Sequence, residues 1–147
     1  MTHPVRTEIQ LPSRRAFLPA VLNFVREVVL ACGLQPEESE FLTLAAEEAC
    51  SNSIEHAYDA QEEGSFRLVL EISPSRIILS LHDQGLPFDY TIAPKYEPPA
   101  QADPGKISTR GLGLYLIEKL VDSVEWISHG MAGKELRLIK KRSVRDV

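Results

Sequence analysis

Glu48, Asn52 and His56 recur at intervals of four in the run Ala45-Ala46-Glu47-Glu48-Ala49-Cys50-Ser51-Asn52-Ser53-Ile54-Glu55-His56-Ala57-Tyr58. In a helix this spacing stacks them as one polar ridge, while Leu44, Cys50, Ile54 and Ala57 lie mostly on other sides. A carboxylate one turn before a carboxamide suits phosphoryl transfer. The acid can orient or deprotonate a nucleophile, and the amide oxygen can hold Mg²⁺. The same spacing also describes an ordinary solvated helix face.

Two later segments carry compatible chemistry. The branched run Arg76-Ile77-Ile78-Leu79-Ser80-Leu81-His82 reads as a strand and ends in Asp83-Gln84-Gly85-Leu86-Pro87-Phe88-Asp89. A carboxylate at a strand end, followed by a glycine that lets the backbone approach a ligand, can recognise a planar base with an exocyclic amine. Asp-x-Gly is equally a common turn. Next, Arg110-Gly111-Leu112-Gly113-Leu114 opens an amphipathic stretch that runs to Val121. Glycines at a helix N-terminus expose free N–H groups and the positive end of the helix dipole to an anion. Such a pair can also simply relieve packing.

These residues need a frame to converge. Val5 to Leu11 alternates as an opening strand, and Pro12 stops it. Ser13 is placed to cap a helix from about Arg14 to Cys32, with Gly33 as its stop. Phe17, Val21, Phe24, Val25, Val28 and Val29 form its core-facing stripe. A second helix begins near Pro36, a favoured first-turn residue, and carries the Glu48–Asn52 ridge. Strands follow at about Ser65 to Ser73 and Arg76 to His82. Ser123 to His129 and Lys134 to Lys140 read as a closing hairpin around Gly130 and Gly133. Between the second and third motifs, Tyr90 to Thr109 holds Pro94, Pro98, Pro99 and Pro104 and cannot be regular throughout. A loop of this length beside a site is expected to act as a lid.

Composition sets the outer limits. A chain of 147 residues makes one domain with its own core, and a net charge of −5 argues against a nucleic-acid-binding face. Cys32 and Cys50 form no Cys-x-x-Cys pair and read as free thiols in a reducing compartment. No signal-peptide pattern stands at the N-terminus, and the most apolar helix is interrupted by Pro19, Asn23, Arg26 and Glu27, so a cytoplasmic protein is expected. No His/Cys set has zinc spacing, and no Ser-His-Asp set suggests a hydrolase.

Taken in order, the three motifs resemble the ATP-binding (Bergerat) fold of gyrase, sensor histidine kinases and the mismatch-repair protein MutL. Within that superfamily the likeness is to the bacterial anti-sigma factor serine kinases, and it covers roughly residues 8 to 142. Their pattern is Glu-Ala-x-x-Asn-x-x-x-His-Ala/Gly-Tyr, Asp-x-Gly-x-Pro-Phe and Arg/Ser-Gly-x-Gly-Leu. It is matched here by Glu48 to Tyr58, Asp83 to Phe88 and Arg110 to Leu114. Pro87 stands where sensor histidine kinases usually have a second glycine.

The resemblance implies an α+β fold, a two-layer sandwich with a mostly antiparallel mixed sheet and helices on one face. Residues 1–147 then form a single domain with a lid at about 90–109. It implies ATP and Mg²⁺ as cofactors. Asp83 accepts the adenine amino group, Gly85 admits the ring, Asn52 coordinates Mg²⁺, and Glu48 is the base for an incoming serine hydroxyl. Gly111 and Gly113 contact phosphate through their backbone, and Arg110 lies near the terminal phosphate. Lys106 reads first as a solvated lid lysine, with reach to the phosphates as its other reading. His56 makes a structural hydrogen bond. Glu47 and Glu55 read as surface acids, Cys50 as core, Tyr58 and Trp126 as packing aromatics, and His82 as turned away from the nucleotide. The implied protein is a homodimer that sequesters a sigma factor and phosphorylates a small antagonist protein. An ATP-responsive interaction module without phosphoryl transfer is the alternative.

Overall fold

The alternation of the opening segment becomes strand β1 (Val5–Pro12), whose odd-numbered residues are half-buried and whose even-numbered ones are exposed. It belongs to a computed structural model that describes residues 3–56, 64–84 and 112–142. The other strands are β2 (Ser65–Ile72), β3 (Arg76–Asp83), β4 (Ser123–Ser128) and β5 (Lys134–Lys141). They form one sheet in the order β1-β2-β3-β5-β4, with all four pairings antiparallel. Among the described residues three α-helices accompany it: α1 (Leu18–Cys32), α2 (Pro36–His56) and α3 (Leu112–Leu120).

Helix α1 begins later than the sequence suggests. Ser13 is not its cap: the Ser13 hydroxyl is buried without a hydrogen-bond partner among the described residues, and a 3₁₀ turn at Arg15–Phe17 precedes the helix. Pro19 explains the difference. Its ring cannot tolerate a helical carbonyl four residues earlier and it has no N–H to donate, so the helix starts where Pro19 falls in the first turn. Ser13 stays tied to the sheet edge through its backbone N–H, 2.8 Å from the Gly64 carbonyl. At the other end Gly33 takes φ +60°, and Leu34 N–H returns to the Val29 carbonyl at 3.3 Å, the left-handed stop expected of that glycine.

Helix α2 has the local chemistry of a strong start. Pro36 opens it, Glu37 and Glu38 complement its positive end, and Glu38 Oε1 accepts a hydrogen bond from Gln35 N–H at 2.9 Å. Its buried side is Phe41, Leu42, Ala45, Ala46, Ala49 and Cys50. The three alanines let its backbone lie close to its neighbours, and α2 contacts α1, α3, β2 and β3. From β2 and β3 the core receives Phe66, Leu68, Leu70, Ile72, Ile77, Leu79 and Leu81, from β5 Leu136 and Leu138, and from α1 Val21, Val25 and Val28. Each such side chain contributes about 1.5–3 kcal/mol through burial. The residues between them on the strands, such as Glu8, Arg67, His82 and Arg137, occupy the opposite sheet face, where Arg67 pairs with Glu8 at 3.3 Å. No helix of the described residues is long and apolar enough to cross a membrane.

Candidate nucleotide site

Strand β3 ends by directing Asp83 to the helix side of the sheet, where the residue is only 7% exposed. A carboxylate so deep must be hydrogen-bonded. Ser53, one residue beyond Asn52 on α2, donates its hydroxyl to Asp83 Oδ2 at 2.9 Å. Lys134, the cross-strand partner of Asp83 in β5, brings its ammonium to 3.7 Å from Oδ1. One side chain thus joins α2, β3 and β5, and its orientation is fixed from two directions.

Asp83 lies in a partly open cleft. Ala49, Leu81, Leu136 and Trp126 give it apolar walls, and Asn52, Ser53, Asp83 and Lys134 supply its polar groups. Apolar walls with a few converging polar groups are the form of a small-molecule site. Trp126 packs against the core as the sequence suggested and also lines the cleft.

Asn52 is the least settled of these groups. Its Nδ2 is buried yet has no hydrogen-bond partner among the described residues. Leaving such a donor unpaired costs about 1–3 kcal/mol. A carboxamide beside the cleft offers a neutral oxygen, a donor type that Mg²⁺ accepts, and the residues present fit a nucleotide with its metal.

Glu48 is half-buried one helical turn before Asn52. Burial pushes its carboxyl above the usual range, and the charges of Glu47 and Glu55 push it further the same way. A raised carboxyl is a stronger base when ionised, as a proton acceptor in catalysis should be. Glu47 and Glu55 are exposed, as expected, and Glu55 pairs with Arg15 at 2.8 Å. Cys50 is buried beneath the ridge, its thiol pushed up to about 12 by that burial.

Gly113 falls in the first turn of α3, where the backbone N–H groups have no partner within the helix, and α3 packs against α2. Gly85, Lys106, Arg110, Gly111 and the lid at 90–109 lie outside the described residues, as do Tyr58 and the side chain of His56. Glu48, Asn52, Asp83 and Gly113 are thus placed on elements packed against one another. His82 points from the sheet face opposite Asp83, as alternation requires. Sequence reasoning missed Ser53 and Lys134. A helical reading puts Ser53 beside Asn52, but only the pairing of β3 with β5 puts Lys134 next to Asp83.

Comparison with known proteins bears on this geometry. A family described as "Histidine kinase-like ATPase domain" matches residues 11–140. The serine-protein kinase RsbW of Staphylococcus epidermidis is 31% identical over 143 residues, covering 95% of this chain and 90% of that protein. The protein of the same name from Bacillus subtilis (strain 168) is 29% identical over 127 residues, covering 83% and 78%. A solved structure of the RsbU and RsbW domains of Rv1364c from Mycobacterium tuberculosis superposes with a TM-score of 0.60 over 97% of this chain. At 19% identity that likeness concerns the fold, and this chain spans 34% of the solved one.

Proposed function

The chain belongs to the histidine kinase-like ATPase family, in its serine-protein kinase branch, and from that premise we propose that it transfers the γ-phosphoryl group of ATP to a serine or threonine of a small antagonist protein. The observation that carries the proposal is Asp83, a carboxylate buried at a cleft and held by Ser53 and Lys134. An acceptor-only group fixed in this way suits the exocyclic amine of adenine, and the apolar walls suit the faces of the ring.

Asn52 would hold Mg²⁺ through its amide oxygen. When bound, the metal neutralises phosphate charge. Glu48 accepts the proton of the substrate hydroxyl as that oxygen bonds to the γ-phosphorus and the bond to the β–γ bridging oxygen breaks, leaving ADP. The raised basicity of Glu48 supports this role. The amides of Gly111 and Gly113 with Arg110, and Gly85 beside the ring, complete the proposed set, and the 90–109 segment is the proposed lid of a single domain.

The protein is further proposed to act in the cytoplasm as a homodimer that sequesters a sigma factor, with antagonist phosphorylation controlling release. The test is incubation with labelled ATP, Mg²⁺ and candidate antagonist proteins, beside Glu48→Gln. Label on serine or threonine of one candidate, lost in the variant, supports the kinase. ATP binding without transfer to any candidate replaces it with a nucleotide-responsive interaction module, and absence of ATP binding removes both.

A further inference from the structure

On the sheet face opposite the nucleotide cleft, three potential metal ligands meet. His82 stands near the end of β3, Glu135 is its cross-strand partner in β5, and His129 lies in the turn between β4 and β5. One ligand atom from each lies within 4.8 Å of the others. His129 Nε2 is 2.9 Å and His82 Nδ1 3.9 Å from the same oxygen, Glu135 Oε1. The two imidazoles lie with centroids 6.3 Å apart and planes 18° from parallel. We propose that His82, His129 and Glu135 form a binding site for a transition-metal dication, Zn²⁺ being the ion whose ligand chemistry they match.

The geometry is close to what the ion needs. Tetrahedral Zn²⁺ with bonds of about 2.0–2.2 Å sets its ligand atoms roughly 3.3 Å apart. The His129–Glu135 separation of 2.9 Å is shorter than that and the His82–Glu135 separation of 3.9 Å longer, and all three ligand atoms lie within 4.8 Å of one another, so side-chain torsions must draw the set together around an ion. His₂Glu leaves a fourth position for water, and His129, with its side chain 42% exposed, keeps the site open to solvent. Glu135, by contrast, is buried, its side chain only 3% exposed.

The surroundings support ligation. Arg137 Nε donates to Glu135 Oε2 at 2.9 Å, which orients the carboxylate and leaves Oε1 toward the two histidines. Two nitrogen donors distinguish this site from the all-oxygen environment Mg²⁺ prefers, so it is separate from the proposed role of Asn52.

The bound ion would cross-link β3, β5 and the β4–β5 turn. His82 and Glu135 directly adjoin Asp83 and Lys134, so the ion would clamp from behind the two strands that hold the cleft.

The experiment is calorimetric titration of the metal-stripped, nucleotide-free full chain with Zn²⁺, repeated with His129→Ala, His82→Ala and Cys32→Ser, with folding checked by circular dichroism. The expected result is one ion per chain, with affinity reduced more than about tenfold in each histidine variant and unchanged in the cysteine variant. Co²⁺ in place of Zn²⁺ should give visible d–d absorption without thiolate charge transfer. No saturable binding would mean that the cluster is only a hydrogen-bonded ion network, and would overturn the proposal. Binding that survives in both folded histidine variants, or is lost in Cys32→Ser, would overturn it equally.

Discussion

Gly133 packs against the backbone of Asp83 so closely that a Cβ added to it would lie 2.2 Å from the Asp83 carbonyl oxygen. Its φ of +106° is also one that side chains resist. The end of the β4–β5 hairpin therefore sets the height of the strand end from which Asp83 projects. Gly133→Ala must move one backbone or the other. We expect a stability loss of about 2–4 kcal/mol together with weaker ATP binding. Thermal melting and calorimetry on the same sample check both. Unchanged ATP affinity in a folded variant would show that the contact does not position Asp83.

Asp83→Asn keeps the size of the side chain and replaces one acceptor by a donor facing the proposed adenine amine. ATP affinity should fall about 100-fold, close to 3 kcal/mol. Ser53→Ala removes only a supporting donor, so a drop of about tenfold is expected. Titration with ATP measures both, and equal losses would argue against Ser53 acting through Asp83.

Glu48→Gln separates stability from catalysis. In the folded protein burial and the neighbouring Glu47 and Glu55 raise this carboxyl above its unfolded value. Its ionised form therefore destabilises the fold above the raised value, and the penalty disappears as pH falls below the ordinary glutamate value. The variant should melt about 2 °C higher near neutral pH, lose that advantage in acid, and transfer no phosphate. A lower melting temperature at neutral pH would contradict this electrostatic account.

Arg142 fixes the far end of the sheet. Its guanidinium forms a forked pair with Glu38 at the start of α2, and Nη1 donates to the Ser73 carbonyl at 2.9 Å. Both charged side chains are largely buried, so Arg142→Ala deprives Glu38 of its guanidinium partner and should cost about 2–3 kcal/mol, or about 5–10 °C in Tm. Burial raises the Glu38 carboxyl, but the Arg142 and Gln35 hydrogen bonds and the charges of Arg142 and Lys140 lower it overall. The stabilisation is thus complete above the ordinary carboxylate value and is lost as pH falls through the lowered folded value. Melts of both proteins across acid pH should converge, and a gap independent of pH would assign the effect to packing alone.

Much of this arrangement was legible in the chain because it depends on local periodicity. Val21, Val25 and Val28 are buried where the three-and-four spacing put them, and the left-handed stop is at Gly33. The turn of α2 that carries Glu48 and Asn52 is set by helical geometry alone. What escaped depends on competition or on distance. Ser13 has the chemistry of a cap, but Pro19 overrules it six residues later. Lys134 reads as the first residue of the second strand of a closing hairpin, and nothing local says that β5 pairs with β3 as well as with β4. His82, His129 and Glu135 have no recognisable metal-ligand spacing along the chain, since two pairings and a turn bring them together.

The strand order β1-β2-β3-β5-β4 has a consequence for synthesis on the ribosome. Residues 134–141 are the last of the sheet to emerge, yet they fill the gap between β3 and β4. Until they do, the inner edge of β3 stays open as a template for foreign strands, and Asp83 has no Lys134 beside it. A nascent chain halted at residue 130 already carries Glu48, Asn52 and Asp83 but lacks a wall of the cleft. In the proposed site, competence to hold nucleotide would therefore arrive with β5, in the same step that closes the inner edge of β3.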